Sequence, residues 1–205
     1  DAPMRRRPAA FADHAKAVEY THALCEGATD LETIRAFVEE SAGNADWISG
    51  LGGKIVPSPA ALIQGFPRMA PGAAFPHVVG ADGIGPRLRV TGTTNFFGLE
   101  LWKFLAGNVE KRKIPVLYST PAQRLIREQS GEIGGVIATR ASTAVRIRAR
   151  RGVVLASGGF EYSKSLQLDY LGQEYCALGD PGCTGDGVRM AVDVGADLWH
   201  MSGVA

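Results

Sequence analysis

Two short stretches of this 205-residue chain carry residues whose types and spacing suit a bound ligand. In Arg151-Gly152-Val153-Val154-Leu155-Ala156-Ser157-Gly158-Gly159-Phe160 an apolar run opens directly into small residues. A run apolar on both faces predicts a strand buried on both faces, as in the middle of a parallel sheet. At its carboxyl end Ala156, Ser157, Gly158 and Gly159 carry almost no side chain, so a flat or anionic ligand can approach the backbone closely. A tight turn against another element would use the same glycines. The second stretch, Cys183-Thr184-Gly185-Asp186-Gly187, introduces a predicted helix with Val188, Ala191 and Val192 on one face and Gly195 at its end. The first turn of such a helix offers amide donors and a positive dipole end. Asp186 has two readings there. It is an acid favoured near a helix N-terminus, or a carboxylate that accepts hydrogen bonds from a ligand hydroxyl, for instance on a ribose or ribitol chain.

Other reactive residues point to less. Cys25, Cys176 and Cys183 lack the close pairs of zinc sites and read as free thiols in a reducing compartment. His14 and His22 stand eight residues apart on one helix, too far for joint ligation, so no metal is expected. Tyr118, Tyr162, Tyr170, Tyr175, His77 and His200 can move protons but read as packed or hydrogen-bonded structural residues, and no catalytic acid or base is assigned. A net charge of +1 draws the chain to neither nucleic acid nor anionic lipid. The cationic run Arg5-Arg6-Arg7 has no interleaved aromatic residue and reads as a solvated segment. No apolar stretch approaches the roughly 20 residues of a membrane span, and a cytoplasmic location is expected. No Gly-x-Gly-x-x-Gly motif follows a strand, which disfavours a nicotinamide-dependent Rossmann enzyme.

The elements that must position these residues are legible in part. Phe11, Ala15, Val18 and Cys25 predict a first helix. Thr29-Asp30-Leu31-Glu32 has the form of a capping box before a second, which should bury Leu31, Ile34, Phe37 and Val38 and end at Gly43 in a left-handed turn. Trp47, Ile48 and Leu51 predict a short third helix that Gly52-Gly53 breaks. Six prolines between residues 54 and 98 predict a long irregular connection, functional or mobile. Leu101, Trp102, Leu105 and Val109 mark a helix ending in Lys111-Arg112-Lys113, where cations suit the dipole. Pro115 to Thr120 then reads as a short strand, pairing in parallel. Gln123–Glu128, Gly134–Arg140 and Ala144–Arg150 read as an antiparallel meander over 123–150, with Arg146, Arg148 and Arg150 on its wet face.

Taken together, Val153 to Phe160, then Thr184-Gly185-Asp186-Gly187-Val188 with Met190-Ala191, then Gly195-Ala196-Asp197-Leu198 resemble the flavoprotein family of fumarate reductase, succinate dehydrogenase and 3-ketosteroid 1-dehydrogenase. Asp46-Trp47-Ile48, Ile114-Pro115-Val116-Leu117 and Ala122-Gln123-Arg124-Leu125-Ile126 fit the same order, so the similarity spans roughly residues 11–205. The resemblance implies an α/β fold: part of a Rossmann-like FAD-binding domain of the glutathione-reductase type, with parallel strands, an antiparallel meander and an N-terminal helical segment. On this reading residues 1–205 are the internal part of one such domain, with 11–53 helical, 54–98 irregular and 99–205 an α/β core. Both ends read as cut, with the phosphate-binding glycine motif and the substrate-capping domain lying outside the chain.

The resemblance further implies that the strand ending in Ala156, Ser157 and Gly158 lies against FAD, that an acid at Asp186 binds the cofactor, and that a backbone contact to the adenine end comes from about Ala122. With Gly159, Thr184 and Gly185, these form the expected cofactor site. The implied reaction in the whole protein is hydride exchange between flavin N5 and a carbon of a single or double bond, on a steroid or unsaturated acid. The alternative is a non-catalytic fragment or interaction module that binds no FAD unaided.

Overall fold

The computed structural model describes residues 11–57, 72–92, 98–199 and 201. The Arg5–Arg7 run, His200 and much of the 54–98 connection lie outside them. Two compact units divide the chain, Asp1–Pro115 and Val116–Ala205.

The first unit is built on helices. α1 (His14–Leu24) is capped by Asp13, which accepts from the Lys16 amide at 3.1 Å. It buries Ala17 and Tyr20 rather than the expected Ala15 and Val18, because its partner is a glycine-rich turn. Gly80 (φ +76°) and Gly83 lie so close to the α1 backbone that no side chain fits between, and the Tyr20 hydroxyl accepts from the Phe75 amide at 3.1 Å. Lys16 pairs with Asp82 on the same turn.

α2 (Leu31–Ala42) is capped by Asp30, one residue later than the Thr29 box predicts. The Asp30 carboxylate accepts from both the amide and the hydroxyl of Thr33, at 2.8 and 2.7 Å. Those bonds favour the ionised form and hold its carboxyl below the usual carboxylate value. Ile34 and Val38 are fully buried, whereas Leu31 and Phe37, expected to be buried, are 43% and 58% exposed. Gly43 is right-handed (φ −74°, ψ −14°) and not the left-handed stop expected. Its carbonyl accepts from the Trp47 amide, so it is drawn into α3 (Asn44–Gly50), which the left-handed Gly52 then follows.

The 54–98 connection is more regular than its prolines suggest. β1 (Ile55–Pro57) pairs antiparallel with β2 (Leu88–Val90), and Phe11 bridges to Ile84. α4 (Leu99–Lys111) follows as predicted, with its basic end and with Asn108 buried beneath Arg112.

The second unit opens with the predicted meander: β3 (Ala122–Arg127), β4 (Ile133–Arg140) and β5 (Thr143–Arg148), in spatial order β3-β4-β5. Val145 and Ile147 are half-buried and Arg146, Arg148 and Arg150 exposed, which is the alternation expected of a sheet with one wet face. α5 (Lys164–Leu171) and α6 (Asp186–Asp193) complete the unit, and α6 packs on β3. Buried Gln167 on α5 binds two loops together. Its Nε2 donates to the Glu161 carbonyl at 2.6 Å, and its Oε1 accepts from the Tyr175 amide at 2.7 Å.

The parallel strands expected at Pro115–Thr120 and Arg151–Ser157 do not form among the described residues, where both sheets are antiparallel. Lys113 and Ser119 adopt left-handed conformations that bracket the first segment. The second forms no ladder, and Val154 is 89% exposed rather than buried on both faces. A strand exists only where a neighbour completes its hydrogen bonds.

The burial pattern of α2 makes a direct prediction. Ile34→Ala should lower unfolding stability by about 3 kcal/mol, and Phe37→Ala by under about 1 kcal/mol. Urea denaturation of both variants checks this, and equal losses would contradict the packing described.

Candidate functional site

The small-residue turn and the helix tip, separated by some 25 residues of sequence, meet in space. The Gly185 amide donates to the Gly159 carbonyl at 3.0 Å, and the Tyr162 amide donates to the Cys183 carbonyl at 3.0 Å. These two bonds lace residues 159–162 to residues 183–185. Three glycines make the approach possible. A methyl group added at Gly187 would sit 2.5 Å from the Ser157 hydroxyl oxygen, and one at Gly158 would sit 2.6 Å from Cys183 Sγ. At Gly185 it would run into Leu166 and lie 2.9 Å from Phe160 Cβ. Gly158 and Gly185 also take φ of +77° and +87°, a region that L side chains resist.

Ser157, Gly158, Gly159, Thr184, Gly185 and Asp186 are therefore brought together as the sequence implies. Ala156 is exposed and continues the same edge. Ala122 is placed apart: it opens β3, exposed and opposite Ala138, and no described contact joins it to the turn.

Asp186 occupies the first helical position of α6, and that helix start receives no side-chain cap. The amides of its first turn are thus left to a ligand or to water. The Asp186 side chain is 63% exposed, and its Oδ1 accepts from the Thr184 hydroxyl at 3.3 Å. A fixed carboxylate acceptor beside a helix tip and a bare backbone edge suits a polyhydroxylated, partly anionic ligand such as a flavin nucleotide.

Cys183 packs at the floor of this turn. Burial pushes its thiol pKa up, and the nearby Glu161 and Asp180 add to the rise, while a hydrogen bond from the Gly159 amide opposes it. The thiolate is the reactive form, and this rise disfavours it. All three cysteines are unpaired.

Several residues of the site went unread in the sequence. Phe160 and Leu166 form the wall that requires glycine at 185, and Ser163, buried, caps α5 by accepting from the Leu166 amide at 3.4 Å. Arg189 reaches back from α6 to the Thr184 carbonyl at 2.8 Å. Its spacing of three from Asp186 on a helix is the one signal that could have found it. The tyrosines nearby hold structure: Tyr162 donates to the Gly179 carbonyl at 3.1 Å, and Tyr170 stacks edge-on against Phe160.

Comparison with known proteins places the chain in a family. The sequence model of the FAD binding domain family matches residues 3–205. A 61-residue stretch is 36% identical to the 3-oxosteroid 1-dehydrogenase of Comamonas testosteroni, covering 30% of this chain and 11% of that protein. Among solved structures, the fold is similar to 3-ketosteroid-Δ4-(5α)-dehydrogenase of Rhodococcus jostii RHA1 in complex with 4-androstene-3,17-dione. That match has a TM-score of 0.75 at 24% identity, over 95% of this chain and 44% of the other. For the 3-ketosteroid Δ1-dehydrogenase of Sterolibacterium denitrificans, bound to 1,4-androstadiene-3,17-dione, the TM-score is 0.77 at 19% identity, over 93% and 45%. For the open conformation of a flavocytochrome c3 fumarate reductase it is 0.72 at 20% identity, over 91% and 30%. The chain thus spans less than half the length of each of these relatives. With the family's pattern running along nearly all of its length, the chain belongs to the FAD binding domain family, whose cofactor is FAD.

Proposed function

We propose that this chain is the inner portion of the cofactor domain of an FAD-dependent oxidoreductase acting on a carbon–carbon single or double bond, with a steroid or an unsaturated acid as substrate. The observation that carries this reading is the meeting of Ser157–Gly159 with Gly185–Asp186, supported by the family match over residues 3–205. When bound, FAD supplies hydride exchange at flavin N5.

The chain's own residues bind and orient. Ala156, Ser157, Gly158 and Gly159 present an edge that lets a flat group lie on the backbone, and Asp186 accepts a ligand hydroxyl. The α6 tip adds amides and its dipole for a negative group. Asp186 itself is an anion, so its place beside that tip favours hydroxyls over phosphate at the carboxylate. Ala122 contributes a backbone contact at the adenine end. Three unpaired cysteines suit a reducing compartment such as the cytoplasm. Among the described residues no helix is long and apolar enough to cross a membrane.

A second reading, a module that binds no FAD unaided, is favoured by the unpaired, exposed Val154 segment and by the lack of a Gly-x-Gly-x-x-Gly motif in these residues. Helix-terminal amides of such a motif hold the pyrophosphate, and affinity falls without them. Titration of FAD into the 205-residue chain and into the full-length protein separates the two readings. The full-length protein should carry flavin absorbance near roughly 450 nm, and FAD should be released on denaturation. A full-length protein that purifies without flavin and takes none up would refute the oxidoreductase reading, whereas micromolar binding by the 205-residue chain would refute the module.

Two further outcomes are expected. Gly185→Ala should weaken FAD retention in the full-length protein at least about tenfold, because the added methyl strains φ and meets Leu166 and Phe160. Cys183 should alkylate more slowly than exposed Cys176 at pH 8, and more slowly still when FAD is bound. Mass spectrometry of iodoacetamide-treated protein measures both rates, and equal labelling of the two thiols would contradict the packing of Cys183.

A further inference from the structure

Arg189 makes more contacts than its exposed position on α6 requires. Its Nη1 donates to the Thr184 carbonyl at 2.8 Å and lies 3.9 Å from Asp186 Oδ1, while its Nη2 donates to the Ser163 hydroxyl at 3.2 Å. One guanidinium therefore joins three parts of the site: the loop before α6, the buried cap of α5, and the carboxylate. The Thr184 hydroxyl donates to the same Oδ1, so both protein partners of Asp186 are on one oxygen. Among the described residues none hydrogen-bonds Oδ2.

With the Asp186 and Arg189 side chains 63% and 47% exposed, solvent screens their attraction and the ion pair contributes little energy by itself. Its effect is geometric. Arginine's donors lie in a rigid plane, so the Thr184 carbonyl and the Ser163 hydroxyl define its orientation and aim its charge at Asp186 Oδ1. A lysine at this position is a point charge on a flexible stem and cannot span Thr184 and Ser163 together.

We propose that Arg189 is a positioning residue for the cofactor: by holding Oδ1 of Asp186 against the protein, it leaves Oδ2 as the acceptor for a hydroxyl of the ribityl or ribose portion of FAD. This rests on the reading of the turn as the FAD site. Arg189 acts through Asp186 and touches no ligand itself.

The test is a double-mutant cycle in the full-length apoprotein, with the FAD dissociation constant read from quenching of flavin fluorescence. The proteins are wild type, Arg189→Gln, Asp186→Asn and the double variant, with circular dichroism melts reporting folding. Each single change should weaken FAD about tenfold, and the double variant should bind within about twofold of Asp186→Asn alone. A simple loss of fold stability would give additive effects. Wild-type affinity in Arg189→Gln overturns the proposal. So does an equal further loss when Arg189→Gln is added to Asp186→Asn, because that would mean Arg189 acts on the ligand directly or on the fold. If Arg189→Gln does not fold, Arg189→Lys replaces it in the cycle with the same expectation. Failure of the wild-type protein to bind FAD refutes the site reading as well, an outcome distinct from normal wild-type binding with an indifferent Arg189.

Discussion

Two backbone turns can come within hydrogen-bonding distance only if neither presents a side chain to the other. That steric constraint governs the second unit of this protein. The Gly185 amide reaches the Gly159 carbonyl because Gly158, Gly185 and Gly187 leave room for Cys183, Phe160, Leu166 and the Ser157 hydroxyl. A peptide hydrogen bond adds only about 1 kcal/mol net, but leaving its partners buried and unpaired costs about 1–3 kcal/mol. Small residues on both sides are thus a condition of the bond and not an incidental feature of the sequence. α5 belongs to the same assembly, because Leu166 walls Gly185 and Gln167 secures residues 161 and 175.

That close approach also decides the electrostatics. With the Gly185 amide already satisfied by Gly159, the remaining first-turn amides of α6 have no side-chain acceptor, and the acid beside them is on the surface. A helix tip of this kind attracts negative or hydroxyl-bearing groups within about one turn. The neighbouring backbone edge is bare, so a ligand can meet the tip and the edge at once. Cys183 belongs to the same turn, and burial raises its thiol pKa, which disfavours the reactive thiolate.

How much of this could be read from the residues depends on what kind of information each feature carries. Gly158-Gly159 and Gly185-Asp186-Gly187 were legible because glycine and a helix-starting acid are local signals, and the meander was legible because Val145, Ile147 and their arginine neighbours alternate. The strands expected at 115–120 and 151–157 were not, since apolar composition says that a segment can be buried but pairing depends on a neighbour the segment does not specify. Phe37 and Leu31 were assigned to the core by period alone. The observed core of α2 is narrower and centred on Ile34 and Val38, on a helix that packs against α1 and α3. The β1–β2 pairing escaped notice because its partners are more than thirty residues apart. Beyond its spacing of three from Asp186, Arg189 was hard to read for a similar reason: one of its acceptors is a main-chain carbonyl and the other lies on Ser163, a helix earlier.

In the proposed function, residues 156–159 and 184–187 border one bound flavin nucleotide. Amide hydrogen exchange of the full-length protein, with and without FAD, tests it most directly. The account predicts that the amides of Ser157–Gly159 and of Gly185–Gly187 slow together when FAD binds, with half-maximal protection of both segments at the same FAD concentration. Tight FAD binding that leaves either segment exchanging as fast as in the apoprotein would contradict it.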